Sequence, residues 1–305
     1  MKSPIIILLS TFLIIFSSCR ERIRLNLGDT YKRLVVEGGV TNDTMVHTVI
    51  LSTTMNYLGN DSIVPYLSNL YVTITEIETG IVTVLTENDT MPGHYQTQPN
   101  YFGIQGYNYR LDIADVVLEE DGEPENYTAT AFCPYIADQI DSIKCIYGKN
   151  ILLNAFINFD VDTTLTHFVS DSGWNILFYA QDPPTREFYA FVSYKNGIAI
   201  DDSLKQLLTL PDDLLNTQGA YFNGFPISFL PNSSWAKAEI GDTITLEIRS
   251  LTPAYYNYIN EFVDVMGGSN PFFGSSPANV RGNVSGGAIG FFYAYCNRKK
   301  SIVLE

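Results

Sequence analysis

The chain has 305 residues, of which 46% are hydrophobic and only 17% charged, and its formal net charge is −15 at pH 7. So acidic a surface repels phosphate backbones and argues against nucleic acid as a partner, and equally against a basic amphipathic membrane surface. Twenty Tyr and 18 Phe exclude a disordered chain, which lacks such residues.

The N-terminus is read first. Lys2 precedes a run from Ile5 to Phe16 that is almost wholly apolar. Spanning a bilayer takes roughly 20 apolar residues, so this shorter run suits the core of a secretory signal. It ends Phe16-Ser17-Ser18-Cys19, which resembles a bacterial lipobox: a bulky apolar residue, two small residues beside the scissile bond, then a cysteine whose thiol takes a diacylglycerol. Residues 1–18 are therefore expected to be a signal peptide, and Cys19 the site of lipidation. Each buried CH₂ contributes about 0.8 kcal/mol, so several acyl chains anchor a protein stably. Residues 19–33, polar and mixed in charge, are expected to be a lipidated tether.

Period-two patterns follow. Leu70, Val72 and Ile74 alternate with Tyr71, Thr73 and Thr75; Tyr107, Tyr109, Leu111 and Ile113 alternate with polar residues; so do Tyr127, Ala129 and Ala131. Half-buried strands have this pattern. Turn signals separate them at Thr41-Asn42-Asp43, Gly59-Asn60-Asp61, Pro92-Gly93 and Glu120-Asp121-Gly122. Short strands at this spacing predict an immunoglobulin-like or transthyretin-like β-sandwich over 34–133, about 100 residues in size. Residues 134–147 read as a linker, and 148–305 as a second β-rich domain with two short helices. Within it, Phe188–Tyr194 is apolar on both faces, as a central strand would be. Ile244, Leu246 and Ile248 alternate with Thr245, Glu247 and Arg249, and Ala288–Tyr295 reads as another buried strand. One helix is expected over Asp202–Leu208, capped by Asp201 or Asp202. The other is expected over Pro253–Met266, with Thr252 as N-cap, an apolar stripe of Tyr255, Ile259, Phe262 and Met266, and Gly267-Gly268 as stop.

Catalytic signatures are scarce. His47, His94 and His167 lie far apart outside any HExxH, and each reads as a surface or strand histidine. There is no GxSxG elbow, P-loop, GxGxxG or CxxC. The acidic run Glu119, Glu120, Asp121, Glu123, Glu125 lacks the ligand spacing of a calcium loop and reads as a solvated hairpin tip, and Asp160 and Asp162 read as an edge. The chain is therefore expected to be no enzyme and to need neither cofactor nor metal. Trp174, Tyr221, Phe222, Trp235, Tyr255 and Tyr256 read mostly as core, with ligand stacking the alternative. Phe272 and Phe273 are adjacent in a loop-like Asn270–Gly274 stretch, so at least one is expected to face a partner; the other reading packs both rings under their own domain. Cys133 and Cys145 are close enough in sequence to pair; the other reading makes Cys133, Cys145 and Cys296 small buried hydrophobes. Asp-Ser/Thr triplets place candidate O-glycosylation at Thr44, Ser62, Thr90, Ser142, Thr163, Ser203 and Thr243, in a pattern that resembles the acceptor motif of Bacteroidota.

Several short motifs recur in a recognisable order. They include Leu34-Val35-Val36-Glu37-Gly38, Gly93-His94-Tyr95, Gly106 to Leu111, Ile140-Asp141-Ser142-Ile143, Phe222-Asn223-Gly224, Gly241 to Ile244, Ala254 to Tyr258, Asn270-Pro271-Phe272 and Gly290-Phe291-Phe292. In that order the chain resembles the Bacteroidota lipoproteins of unknown function grouped as domain of unknown function 4249. The resemblance implies an envelope lipoprotein, often encoded beside a TonB-dependent outer-membrane transporter, and carries over no catalytic residues. The expected function is accessory ligand binding or partner binding for such a transporter, on the outer membrane; the alternative is a structural or assembly factor of the envelope without a small ligand. Acidic residues after the lipidated cysteine often signal surface display, but Arg20-Glu21-Arg22-Ile23-Arg24 is basic, so the membrane face stays open.

Overall fold

The computed structural model describes residues 31–55, 63–119, 122–136, 140–151, 172–182, 187–200, 208–211, 219, 221–232, 237–266 and 280–305. Cys19, Phe272, Phe273, Ser62, Thr163, Ser203, His167, Asp160, Asp162, Trp235 and the Gly59-Asn60-Asp61 turn lie outside them. So do Gly267-Gly268 and the first expected helix, except for its last residue.

The chain is mainly β. Its strands are β1 (Leu34–Thr41), β2 (Thr48–Thr53), β3 (Tyr71–Glu76), β4 (Val82–Val84), β5 (Thr86–Asn88), β6 (Met91–Gln96), β7 (Asn108–Val116), β8 (Glu125–Phe132) and β9 (Ser142–Lys149), followed by β10 (Ser172–Gln181), β11 (Phe188–Lys195), β12 (Ile198–Ala199), β13 (Leu208–Pro211), β14 (Tyr221–Pro231), β15 (Thr243–Leu251) and β16 (Ile289–Val303). One helix, α1 (Pro253–Met266), lies among the described residues.

Three sheets form. The largest runs β12-β11-β15-β16-β1-β2-β6-β5, with β13 also on β11; a second runs β4-β3-β7-β8, and a third β14-β10-β9. The alternations read from the sequence are the ones seen. In β7, Tyr109, Leu111, Ile113 and Val116 are buried, while Arg110 and Asp115 are exposed. In β8, Tyr127, Ala129 and Ala131 are buried between exposed Thr128 and Thr130. These side chains join Leu34, Val36, Val49, Leu51, Leu246 and Phe292 of the nine-stranded sheet, and Ile176 and Leu230 of the third, in one core.

Strand β16 is the spine. Its first half pairs in parallel with β1, Val35 opposite Ile289 through Thr41 opposite Tyr295. Its second half pairs antiparallel with β15, Thr243 opposite Val303 through Ser250 opposite Cys296. Gly290 has φ +98°, and a Cβ there would collide with the Val36 carbonyl oxygen, so only glycine lets the two strands approach.

This pairing crosses the expected division of the chain. The nine-stranded sheet draws strands from both sides of 134–147, and a single core spans both. Nor is 134–147 a bare linker: most of β9 falls in it and pairs with β10, from Ser142 opposite Tyr179 to Lys149 opposite Ser172. Hydrophobic alternation reports which face of a strand is buried, but not which strand it pairs with.

Two local expectations also move. Pro92-Gly93 is not a turn but part of β6; the reversal is Asp89-Thr90, where the Asn88 side-chain oxygen accepts the N–H groups of Thr90 (2.9 Å) and Met91 (3.1 Å). Leu208 belongs to β13 rather than to a helix. Helix α1 begins as expected: Thr252 Oγ1 accepts the Tyr255 N–H at 3.2 Å. Its buried residues are Tyr255 and Ile259, with Phe262 half-buried; Met266, expected in the stripe, is exposed at the last turn.

Candidate functional site

The nine-stranded sheet has a second face, and strand alternation dictates what stands on it. Where Val36, Phe292, Leu246 and Val49 point into the core, Glu37, Tyr293, Glu247 and Thr48 point the other way. Part of this outer face is covered by α1. Tyr255 and Ile259 pack there with Ala190, Val192, Leu251, Phe291 and Tyr295. Tyr255 stacks on Tyr293 at 4.8 Å and 16°, and Tyr293 on Tyr295 at 5.5 Å and 17°.

Beside the helix the same face opens into a cleft of about 480 Å³, lined by residues of β1, β2, β11, β15 and β16. That volume lies in the range of small-molecule sites. Its floor is flat where Gly39 faces Tyr293. A Cβ on Gly39 would run into the Tyr293 ring, so the glycine lets the ring lie on the backbone of β1.

The walls carry an ion network. Arg249 Nε donates to Glu247 Oε1 at 2.6 Å, with side chains only 15% and 2% exposed. The guanidinium also lies over the Tyr295 ring, 4.9 Å from its centre. Tyr194 donates its hydroxyl to Glu247. Lys299 Nζ reaches Asp43 Oδ2 at 2.8 Å and Glu247 Oε2 at 3.5 Å. Burial works against the Arg249 charge, but Tyr295 and Glu247 outweigh it and hold its pKa above the usual value. Burial likewise pushes the Asp43 carboxyl up, yet the hydrogen bonds from Lys299 and Asn297 prevail and leave it below the usual range. Burial keeps the hydroxyls of Tyr194 and Tyr295 protonated, with raised pKa values. Glu37, exposed at the mouth, has no ion-pair partner among the described residues.

One end of the cleft is built by the β1–β2 turn. Asn42 exchanges hydrogen bonds with the Asn297 backbone, donating at 3.2 Å and accepting at 2.7 Å. The Asn297 side chain donates to Asp43 at 2.8 Å. His47, expected at a surface or strand, is instead buried beneath this turn, just before β2. Its Nδ1 accepts the Thr41 N–H at 3.3 Å, so Nε2 carries the proton and donates to the Asp43 carbonyl oxygen at 3.2 Å. Burial lowers its pKa, and the bonds to backbone carbonyls only partly offset this. The ring is a neutral strut, and its protonation would forfeit the bond from Thr41.

The cleft residues were not the ones singled out in the sequence as site candidates. Glu247 and Arg249 read as the solvent side of an alternating strand, and Tyr293 and Tyr295 as part of a buried run. Of the aromatic candidates, Tyr255 stacks on Tyr293 beside the cleft, and Trp174 is occupied by a 3.0 Å hydrogen bond to the Ala238 carbonyl and an edge contact with Tyr147. Phe222 packs on the main core, and Tyr221 is exposed. Among the triplets, Thr44 and Thr90 are exposed in turns, while Ser142 and Thr243 open β9 and β15 half-buried. His94 lies in β6 against Tyr66. Cys133 and Cys296 are fully buried and Cys145 half-buried. No group of three or more His, Cys, Asp and Glu side chains suited to a metal occurs among the described residues, and no helix there is long and apolar enough to cross a membrane.

Fold and site together define a mainly β protein with one sheet face in the core and a tyrosine-floored, ion-walled cleft on the other. The chain belongs to the family described as Domain of unknown function (DUF4249), whose profile matches residues 20–301. A search of curated proteins finds no match to it.

Proposed function

We propose that this is a lipoprotein of the outer membrane, held by lipid on Cys19, that serves a TonB-dependent transporter as an accessory and takes a ligand or partner group in the cleft of the nine-stranded sheet. The observation that carries the reading is the cleft itself: about 480 Å³, open to solvent, with Tyr293 and Tyr295 below and Tyr194, Glu247, Arg249 and Lys299 along its side. Such groups, already held in place by one another, orient a ligand at little ordering cost. Because Arg249 and Lys299 are each paired with carboxylates, Glu37 is the acidic group left facing the mouth. That favours a ligand with a flat face for the tyrosines and a cationic or hydrogen-bond-donating group for Glu37. Supporting the location are the apolar run Ile5–Phe16 and the Phe16-Ser17-Ser18-Cys19 sequence. The segment holding Phe272 and Phe273 is the proposed contact with the transporter.

Native mass spectrometry of protein extracted gently from its own membranes tests the binding reading. A bound small molecule in the wild type, absent from the variant with Glu37→Gln and Tyr293→Ala, is the expected result. A stable complex with a barrel but no small ligand in either would favour the assembly reading. Absence of both would overturn the accessory role. Labelled palmitate should enter the wild type and not Cys19→Ala; label retained in the variant removes the lipid anchor from the proposal.

A further inference from the structure

We propose that Cys133 and Cys296 are a disulfide pair, closed when the chain folds in an oxidising compartment, and that Cys145 stays a thiol. That the pair closes in the cell rests on the export reading above; that these two cysteines are the partners rests on the fold alone.

Cys133 follows β8, and its backbone is held on both sides: its N–H donates to the Tyr107 carbonyl at 2.9 Å and its carbonyl accepts the Gly106 N–H at 2.8 Å. Cys296 lies at the middle of β16, opposite Ser250, on the core face with Phe292 and Ala294. The segment after Cys133 is tied to the same place, because Ser250 Oγ donates to the Tyr135 carbonyl at 3.1 Å. Both cysteines are fully buried in the same core cluster, and their thiols lie close enough beside Tyr109 to act on one another. Neighbouring thiols on segments tied together in this way can close to the bond length of about 2.0 Å.

Cys145 is the neighbour in sequence, but the fold takes it elsewhere. It lies in β9 opposite Ile176 of β10, half-buried against the core. Its thiol is raised to about 11 by burial alone, with neither other cysteine acting on it.

The oxidant is a disulfide, carried by a thiol–disulfide oxidoreductase or by glutathione. One cysteine, as thiolate, attacks that disulfide and forms a mixed disulfide, releasing the first oxidant thiolate. The second cysteine, as thiolate, displaces the other oxidant sulfur and closes the Cys133–Cys296 bond. Two electrons pass to the oxidant, which leaves as two thiols; the two protons lost by the cysteines are taken up by them. In the folded protein the neighbouring Cys296 thiol and burial push the Cys133 thiol well up, so the exchange belongs to the folding chain, before the core closes. The bond then ties the end of β8 to the centre of β16, the strand on which both halves of the nine-stranded sheet depend.

The test uses the full chain, unfolded and then refolded in a glutathione redox buffer. After denaturation without reductant, free thiols are alkylated and the chain is digested. A linked peptide pair containing Cys133 and Cys296, with the alkyl group on Cys145, is expected. A Cys133–Cys145 link, or alkyl groups on both Cys133 and Cys296, overturns the proposal. Cys145→Ser should keep the link and Cys133→Ser should free Cys296; the peptide map of the unsubstituted chain decides the pairing even if Cys133→Ser does not fold. The same map on protein from its native cells separates the two readings. Free thiols there, with the link formed in buffer, would uphold the pairing and count against export.

Discussion

The two faces of the nine-stranded sheet are made by the same strands, one residue apart, and they do different work. The inner face is aliphatic and aromatic, with Leu34, Val36, Leu246 and Phe292 at or near zero exposure. The outer face, on the alternate residues, carries tyrosines, an arginine, a lysine and two carboxylates, with Asp43 of the β1–β2 turn at its end. A buried apolar face stabilises by excluding water, roughly in proportion to area. A buried ion network contributes little net stability, because desolvating the charges offsets their attraction. An arrangement that gains so little for the fold, yet holds its groups this well, is better explained by what it positions than by what it stabilises.

Substitutions on the two faces sharpen this contrast. The largest effect is expected from Phe292→Ala on the inner face: a loss of about 3–5 kcal/mol in urea unfolding, from lost burial and the cavity left behind. On the outer face, Arg249→Ala should cost about 3 kcal/mol, because it leaves the Glu247 carboxylate buried with only Lys299 opposite. The informative variant is the double change Glu247→Leu with Arg249→Met, which should stay within about 1 kcal/mol of the wild type while removing the buried ion pair from the cleft wall. If the double variant is as unstable as Arg249→Ala, the network is structural and the contrast between the faces fails. By comparison, the surface pair Arg110–Asp112, 48% and 39% exposed, should yield under about 1 kcal/mol when broken.

Helix α1 gives a smaller effect. Thr252→Ala removes the cap that accepts the Tyr255 N–H and should cost about 1 kcal/mol, read from the same unfolding curves. Since α1 packs over the tyrosines of the outer face, a loss of ligand binding larger than this change in stability would place the helix among the parts that shape the cleft.

The smallest effect is one of pH. The folded pKa of His47 lies below its ordinary value of 6.5. Its contribution is therefore fully present above that value and is lost as pH falls through the folded pKa, since the unfolded chain takes up the proton first. The Asp43 carboxyl lies below its ordinary 3.8, so its contribution survives to more acid conditions and is lost only as pH falls through that lower value. Urea midpoints measured between about pH 7 and about pH 5 should fall in the wild type and flatten in His47→Gln. An unchanged slope in the variant would show that His47 is not the strut under the β1–β2 turn.

The sequence by itself determined the strands and their buried sides. Val72 and Ile74, Tyr109 to Ile113, and Ile244 to Ile248 lie in the core as their alternation requires, because side chains on a strand have a period of two whatever the strand pairs with. It also determined the start of α1, where a threonine cap and a proline at the first helical position act locally. The tertiary structure alone decided what lies on the other side of those strands. That β16 pairs with both β1 and β15 brings together Glu37, Glu247, Arg249 and Tyr293, which are far apart in sequence. Each reads locally as a solvent-facing or core residue of its own strand. The same pairing crosses the expected boundary at 134–147, and the fold takes Cys145 into β9, opposite Ile176, away from its sequence neighbour Cys133. Strand partnership between distant segments depends on the free energy of the whole packed sheet, and no short window of sequence contains that information.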